Sequence, residues 1–208
     1  MKKVRAAIFD FDGTVADSTS IIYAEVKKEL KKHGLSESKV NQIEEMGVSK
    51  FLREVEISKI KVVWIALKIQ KRLGERINEA DLFDGVEPLL KRLKEEKVSL
   101  GMVTNNKKRT VKKFIKINDL DFFPFIYSNL FLRSKVRKLE KAVKSVAAKK
   151  EEIVYIGDQA DDVLDAKKVG IKSIGVTWGL SNFDELKKVG PDYIADSPEE
   201  IYDFLIRS

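Results

Sequence analysis

Residues 6–14 read AAIFDFDGT, and this stretch constrains the rest of the chain. The apolar run at 6–9 suits a short buried strand. It ends in two carboxylates, Asp10 and Asp12, followed at once by Gly13 and Thr14. Side chains two apart on extended backbone point to the same side. Two like charges held close cost free energy unless a cation offsets them. Asp and Gly also build ordinary turns. A turn alone, however, does not account for paired acids closing a strand bound for the interior. An oxygen-rich pair of this kind suits a hard ion such as Mg²⁺.

Similar strand ends recur downstream. A strand is predicted over 98–103 (VSLGMV), running into Thr104, Asn105 and Asn106. A hydroxyl and an amide there can bind phosphate oxygens, and open α/β sheets put ligand groups at such ends. Another strand is predicted over 152–157 (EIVYIG), where Gly157 permits a tight turn, followed by Asp158, Asp161 and Asp162. If a helical turn begins there, Asp158 and Asp162 share a side. Further strands are expected at 126–128, 173–176 and 193–195, the last at an edge. They alternate with helices over 86–94, 108–115, 132–148, 183–189 and 197–205. Alternation of this kind gives a parallel sheet covered on both faces.

Residues 36–80 carry no strand signal. The pattern predicts a helix over 20–32, ended by His33-Gly34, one over 36–45, and a long one over 49–74. Val55, Ile60, Val63, Trp64, Leu67 and Leu73 are the residues available for packing, with Trp64 expected in the core. The phenylalanines of 121–131 are expected where helix and sheet meet. The resulting division is a core of 1–16 and 83–208 with a small inserted helical cap at 17–82.

Composition excludes several classes. The 208 residues contain no cysteine, so disulfides and thiolate chemistry are out, and the single histidine, His33, argues against histidine triads and multi-histidine metal sites. Forty basic and 33 acidic residues give a net charge of +7. The basic residues are mixed with Glu along helical segments, with no recognition module, so no nucleic-acid partner is expected. No apolar run reaches membrane-spanning length. The acids at 10 and 12 interrupt the first apolar run too early for a signal peptide, which favours the cytoplasm. No GxxxxGK loop and no dinucleotide fingerprint is present.

In a parallel sheet the strand ends share one edge, so Asp10, Asp12, Thr14, Thr104, Asn105, Asp158 and Asp162 converge. The sequence resembles the haloacid dehalogenase-like hydrolase superfamily, in its phosphoglycolate phosphatase-like branch. The resemblance rests on DFDGT at 10–14, on Thr104 with Asn105, on GDQADD at 157–162, and on the continuation from Asp162 to Gly179. It spans nearly the whole core, while the insert matches by position and length.

The resemblance implies an α/β, Rossmann-like parallel-sheet core with a helical cap, and a Mg²⁺-dependent phosphatase acting on a small phosphorylated metabolite. It implies Asp10 as the nucleophile that forms an aspartyl-phosphate and Asp12 as the general acid, then base. Thr104 would bind the phosphoryl group, with Thr14 and Asn105 on the substrate. Mg²⁺ would take the Asp10 carboxylate, the Asp12 main-chain carbonyl and Asp158, supported by Asp162. The family's basic residue precedes a helix, often as Lys-Pro. Here no proline follows, and two candidates remain: Lys135 has the expected type, and Arg133 the better register. A sugar phosphomutase would share most of this site. A haloacid dehalogenase would need neither Asp12 nor Mg²⁺, and a catalytically weak binding module would keep the fold alone.

Overall fold

The structure, a computed structural model, describes residues 3–55, 57–128 and 134–207, without the side chains at 49, 50, 53 and 59. The strands are β1 (Ala6–Phe9), β2 (Ala16–Asp17), β3 (Asp81–Leu82), β4 (Ser99–Thr104), β5 (Ile126–Ser128), β6 (Ile153–Gly157), β7 (Lys172–Val176) and β8 (Tyr193–Ala195). Helices α1 (Thr19–Lys32), α2 (Glu37–Asn41), α3 (Ile43–Met46), α4 (Val48–Glu54) and α5 (Lys59–Arg76) fall between β2 and β3. The others are α6 (Val86–Glu95), α7 (Lys108–Ile117), α8 (Lys135–Ser145), α9 (Ala160–Val169), α10 (Phe183–Val189) and α11 (Pro198–Ile206).

Six strands form one parallel sheet in the order β5-β4-β1-β6-β7-β8. β1 lies inside it, with Ala6 opposite Ser99 on one side and Ile153 on the other. Its side chains alternate between two apolar clusters: Ala7 and Phe9 join one, Ala6 and Ile8 the other. A strand covered on both faces needs apolar residues at every position, which is why 6–9 reads as a continuous run. The chain runs from β1 outward to β4 and β5 on one side and to β6, β7 and β8 on the other. The strand order therefore reverses beside β1, where open α/β sheets bind ligands.

β2 and β3 pair as an antiparallel ribbon, Ala16 opposite Leu82 and Asp17 opposite Asp81. The chain enters and leaves the helical insertion through this ribbon. The expected helix at 36–45 is two short helices meeting at Gln42. The expected helix at 49–74 is also two. Val55 takes an extended backbone, and the Ser58 hydroxyl accepts from the Lys61 N–H at 3.4 Å to start α5. Trp64 is a correction: it is 62% exposed, not core. On α5, Ile65 and Leu73 face inward, and Trp64, a third of a turn away, faces solvent together with Ile60. Phe123 is buried edge-on against Phe9, as expected of that aromatic stretch. Among the described residues, no helix is long and apolar enough to cross a membrane.

Candidate active site

The loop after β1 turns sharply. The N–H groups of Val15 and Ala16 donate to the Phe11 carbonyl at 3.0 and 2.9 Å, and Gly13 adopts φ +74°. That left-handed conformation suits glycine. A side chain at 13 would also collide with the Asp158 carboxylate. Gly157 is required for space rather than for a turn. Its φ is not positive, and a Cβ there would lie 2.5 Å from Asp162 Oδ2.

Carboxylate oxygens of Asp10, Asp158 and Asp162 lie within 4.8 Å of one another, and all three residues are buried. Lys135, the first residue of α8, reaches into the cluster. Its Nζ donates to Asp10 Oδ2 at 2.8 Å and to Asp162 Oδ1. The second Asp162 oxygen accepts from the Gln159 N–H at 3.1 Å. Asp158 Oδ2 accepts from the Leu180 N–H at 2.8 Å. Two oxygens, Asp10 Oδ1 and Asp158 Oδ1, are buried without a partner, as is the Thr14 hydroxyl. Buried polar atoms are rarely left so unless something completes them. A buried trio of carboxylates with two orphaned oxygens fits a hard divalent cation such as Mg²⁺ in donor type and charge.

The electrostatics agree. Burial raises the pKa of all three acids, Asp162 to about 6 and Asp158 well above the ordinary carboxylate value, and repulsion adds to it, from Asp12 on Asp10, from Asp10 on Asp162, and from Asp162 and Asp10 on Asp158. Burial opposes the Lys135 charge, yet Asp10 and Asp162 hold its pKa well above the ordinary lysine value.

Asp12 stands apart from this cluster. Ser18 Oγ donates to it at 2.9 Å, and Asn106 Nδ2 donates to both its oxygens at 3.1 and 3.2 Å. Burial pushes its pKa up to about 6 although both donors pull it down. Sequence reasoning missed both donors. Ser18 stands at the N-cap of α1, but its side chain makes no cap bond and serves Asp12 instead. The sequence points to Asn105 as the amide of this strand end, whereas it is Asn106 whose side chain reaches Asp12. The Thr104 hydroxyl accepts from the Asn106 N–H at 3.0 Å, which leaves its own proton to donate. The Asn105 amide oxygen accepts from Lys138 Nζ at 2.6 Å, and Lys138 also donates to the Thr104 carbonyl at 2.6 Å. Burial, then the nearby Lys135, lowers the Lys138 pKa to about 8. Arg133, the alternative to Lys135, lies outside the described residues, as do the side chains of Lys50 and Arg53, the basic residues of α4 in the insertion.

A cavity of about 520 Å³ opens between the sheet edge and the helical insertion. Asp12, Asn105, Lys135 and Asp162 line one wall, and α1, α4 and α5 the other.

The family model described as haloacid dehalogenase-like hydrolase matches residues 7–176. The chain belongs to the haloacid dehalogenase-like hydrolases. Within this family its likeness is to the phosphoglycolate phosphatase-like branch. It is 26% identical to a phosphoglycolate phosphatase of Synechococcus elongatus, over 95% of each chain. It is 24% identical to the pyrophosphatase PpaX of Bacillus mycoides, over 99% of this chain and 98% of that one. A haloacid dehalogenase-like hydrolase from Streptococcus pneumoniae superposes with a TM-score of 0.79 at 25% identity, covering 98% of this chain and 99% of the other. A predicted phosphatase from Clostridium acetobutylicum shares the fold over both whole chains, with a TM-score of 0.85 at 24% identity. The fold and the buried carboxylate cluster are those of a phosphoric monoester hydrolase.

Proposed function

We propose that the chain is a Mg²⁺-dependent phosphatase that hydrolyses a small phosphomonoester through an aspartyl-phosphate on Asp10. The observation that carries this reading is the Asp10 carboxylate. It is buried at a strand end, with one oxygen fixed by Lys135 and the other unpartnered. An oriented carboxylate is a competent nucleophile, and it splits hydrolysis into two steps. Asp10 attacks phosphorus, and the leaving oxygen takes a proton from Asp12. Water then attacks the acyl-phosphate and gives its proton to Asp12, which releases phosphate and restores the Asp10 carboxylate.

Asp12 suits proton transfer because burial lifts its pKa toward neutrality while Ser18 and Asn106 fix its direction. Thr104 and Thr14 each have a hydroxyl proton to offer a phosphoryl oxygen. Asn105 lines the substrate cavity. Lys135 is the phosphate clamp in this reading, with Arg133 as the alternative. Asp10 and Asp158 would hold Mg²⁺, together with the Asp12 main-chain carbonyl. Asp162 supports the site by holding Lys135. Bound there, the ion supplies positive charge to the transferring group.

Residues 17–82 serve as a cap over the core of 1–16 and 83–208, hinged at the ribbon. Closure excludes water and limits the substrate to a small phosphorylated metabolite. The test is release of phosphate from p-nitrophenyl phosphate with Mg²⁺, beside trapping of labelled phosphate on the protein. Wild type should turn over and label. Asp10→Asn should lose at least about a thousandfold in kcat and label not at all. Normal labelling of Asp10→Asn would remove Asp10 from its role.

A further inference from the structure

We infer that the leaving group is an uncharged, largely apolar alcohol, so the substrate class is alkyl or aryl monophosphates rather than phosphorylated acids or diphosphates. The inference rests on the phosphatase reading and specifies its substrate. The cavity wall facing the carboxylates is made by the insertion, and its lining is aliphatic: Ile22 and Val26 on α1, Leu52 on α4, and Val62, Ile65 and Ile69 on α5. The one polar side chain this wall contributes, among the described residues, is Gln70. Its Nε2 donates to the Asn105 carbonyl at 2.8 Å, which fixes the amide orientation, and its Oε1 is buried with no partner. The described side chains of the insertion therefore offer a leaving group apolar contact and no counter-charge.

Among the described residues, the cations that line the cavity each have an acidic partner. Lys135 is held between Asp10 and Asp162, and Lys168 pairs with Asp165 at 2.9 Å. Asp161 adds negative charge to that side of the cavity. A substrate with a second anion would lose hydration without gaining a free counter-charge from the described residues. An alkyl or aryl group would gain from leaving water. The cavity, about 520 Å³, exceeds what a phosphoryl group alone needs and lies within the range of small-ligand sites. This separates the chain from what the names of its phosphoglycolate phosphatase and pyrophosphatase relatives describe.

The experiment compares kcat/KM, with saturating Mg²⁺, for methyl, butyl, hexyl and phenyl phosphate against 4-carboxybutyl phosphate, phosphoglycolate and pyrophosphate. We expect a rise of roughly three- to fourfold per methylene up to butyl or hexyl. We also expect butyl phosphate to exceed its carboxylated counterpart by at least about a hundredfold. Ile69→Lys, placing a cation on the aliphatic wall, should narrow that ratio at least about tenfold. Thermal melting checks that this variant folds, and the wild-type series decides without it. A flat response to chain length, or faster turnover of phosphoglycolate or pyrophosphate than of butyl phosphate, overturns the inference and leaves the phosphatase reading intact. No turnover of any ester, p-nitrophenyl phosphate included, sinks the phosphatase reading and this inference with it.

Discussion

Asn106 and Ser18 are what make Asp12 a different acid from Asp10. Both donate to the Asp12 carboxylate, and a hydrogen bond to the charged form lowers a pKa. Burial works the other way and wins, leaving Asp12 at about 6. The proposed first step needs Asp12 protonated, so kcat/KM should fall as pH rises through that pKa. Removing a donor destabilises the anion and raises the pKa. Asn106→Ala should therefore move the alkaline limb of the kcat/KM profile upward, by about one pH unit. A limb that stays in place while kcat alone drops would mean that Asn106 only supports the loop. The acids were legible in the sequence because neither packing nor turn chemistry calls for two carboxylates at the end of an apolar strand. Asn106 and Ser18 were not, since an amide or hydroxyl beside a helix start reads equally well as a cap. Only the fold brings residues 12, 18 and 106 into one hydrogen-bonded group.

At the scale of elements, the parallel strands were readable because each is a short apolar run ending in polar residues. The breaks inside the insertion were not. Gln42 and Val55 are unremarkable in a helical pattern, and the Ser58 cap shows only once α5 is seen to begin there. The ribbon of β2 and β3 was equally hidden, since two residues per strand leave no periodicity. Next to it, Trp178 Nε1 donates to the Thr14 carbonyl at 3.3 Å, and its ring lies 6.2 Å from that of Phe83, which follows β3. Trp64 is the other tryptophan and is exposed on α5. In a Trp64→Phe variant, Trp178 becomes a single reporter of the ribbon. If the insertion closes by bending there, Mg²⁺ with a phosphate analogue should shift Trp178 emission and slow its quenching by acrylamide. Saturating binding with unchanged emission and quenching would mean that the ribbon is rigid.

For the molecule as a whole, the buried acids link metal binding, pH and stability. Asp162 titrates near 3.8 when unfolded and at about 6 when folded, and burial raises Asp10 and Asp158 in the same direction. Between these values the folded state binds more protons than the unfolded one, so stability falls as pH rises through that window. The metal-free protein should therefore melt at a lower temperature at pH 7 than at pH 5. Mg²⁺, neutralising the same charges, should raise the melting temperature more at pH 7 than at pH 5. A difference above about 2 °C, the scale of 1 kcal/mol in a chain of this size, would be decisive in calorimetry. Equal Mg²⁺ shifts at both pH values would mean that the ion binds elsewhere. The sheet and its catalytic edge could be inferred from alternating elements alone. The aliphatic wall could not, because its residues look like ordinary helix cores until the insertion is seen folded over the strand ends.

The position of β1 has a consequence for how the chain is made. Both of its partners lie far downstream, in β4, which ends at Thr104, and β6, which ends at Gly157. At typical synthesis rates a ribosome takes roughly 5–20 s to reach the first of these and roughly 7–30 s to reach the second. Through that interval the most apolar strand of the catalytic edge has no ladder to join, while the helices of the insertion emerge and can form from local contacts. The segment bearing Asp10 is among the first translated and among the last enclosed. A nascent chain released before residue 157 would have its proposed nucleophile without Asp158, Asp162 or a closed sheet around it.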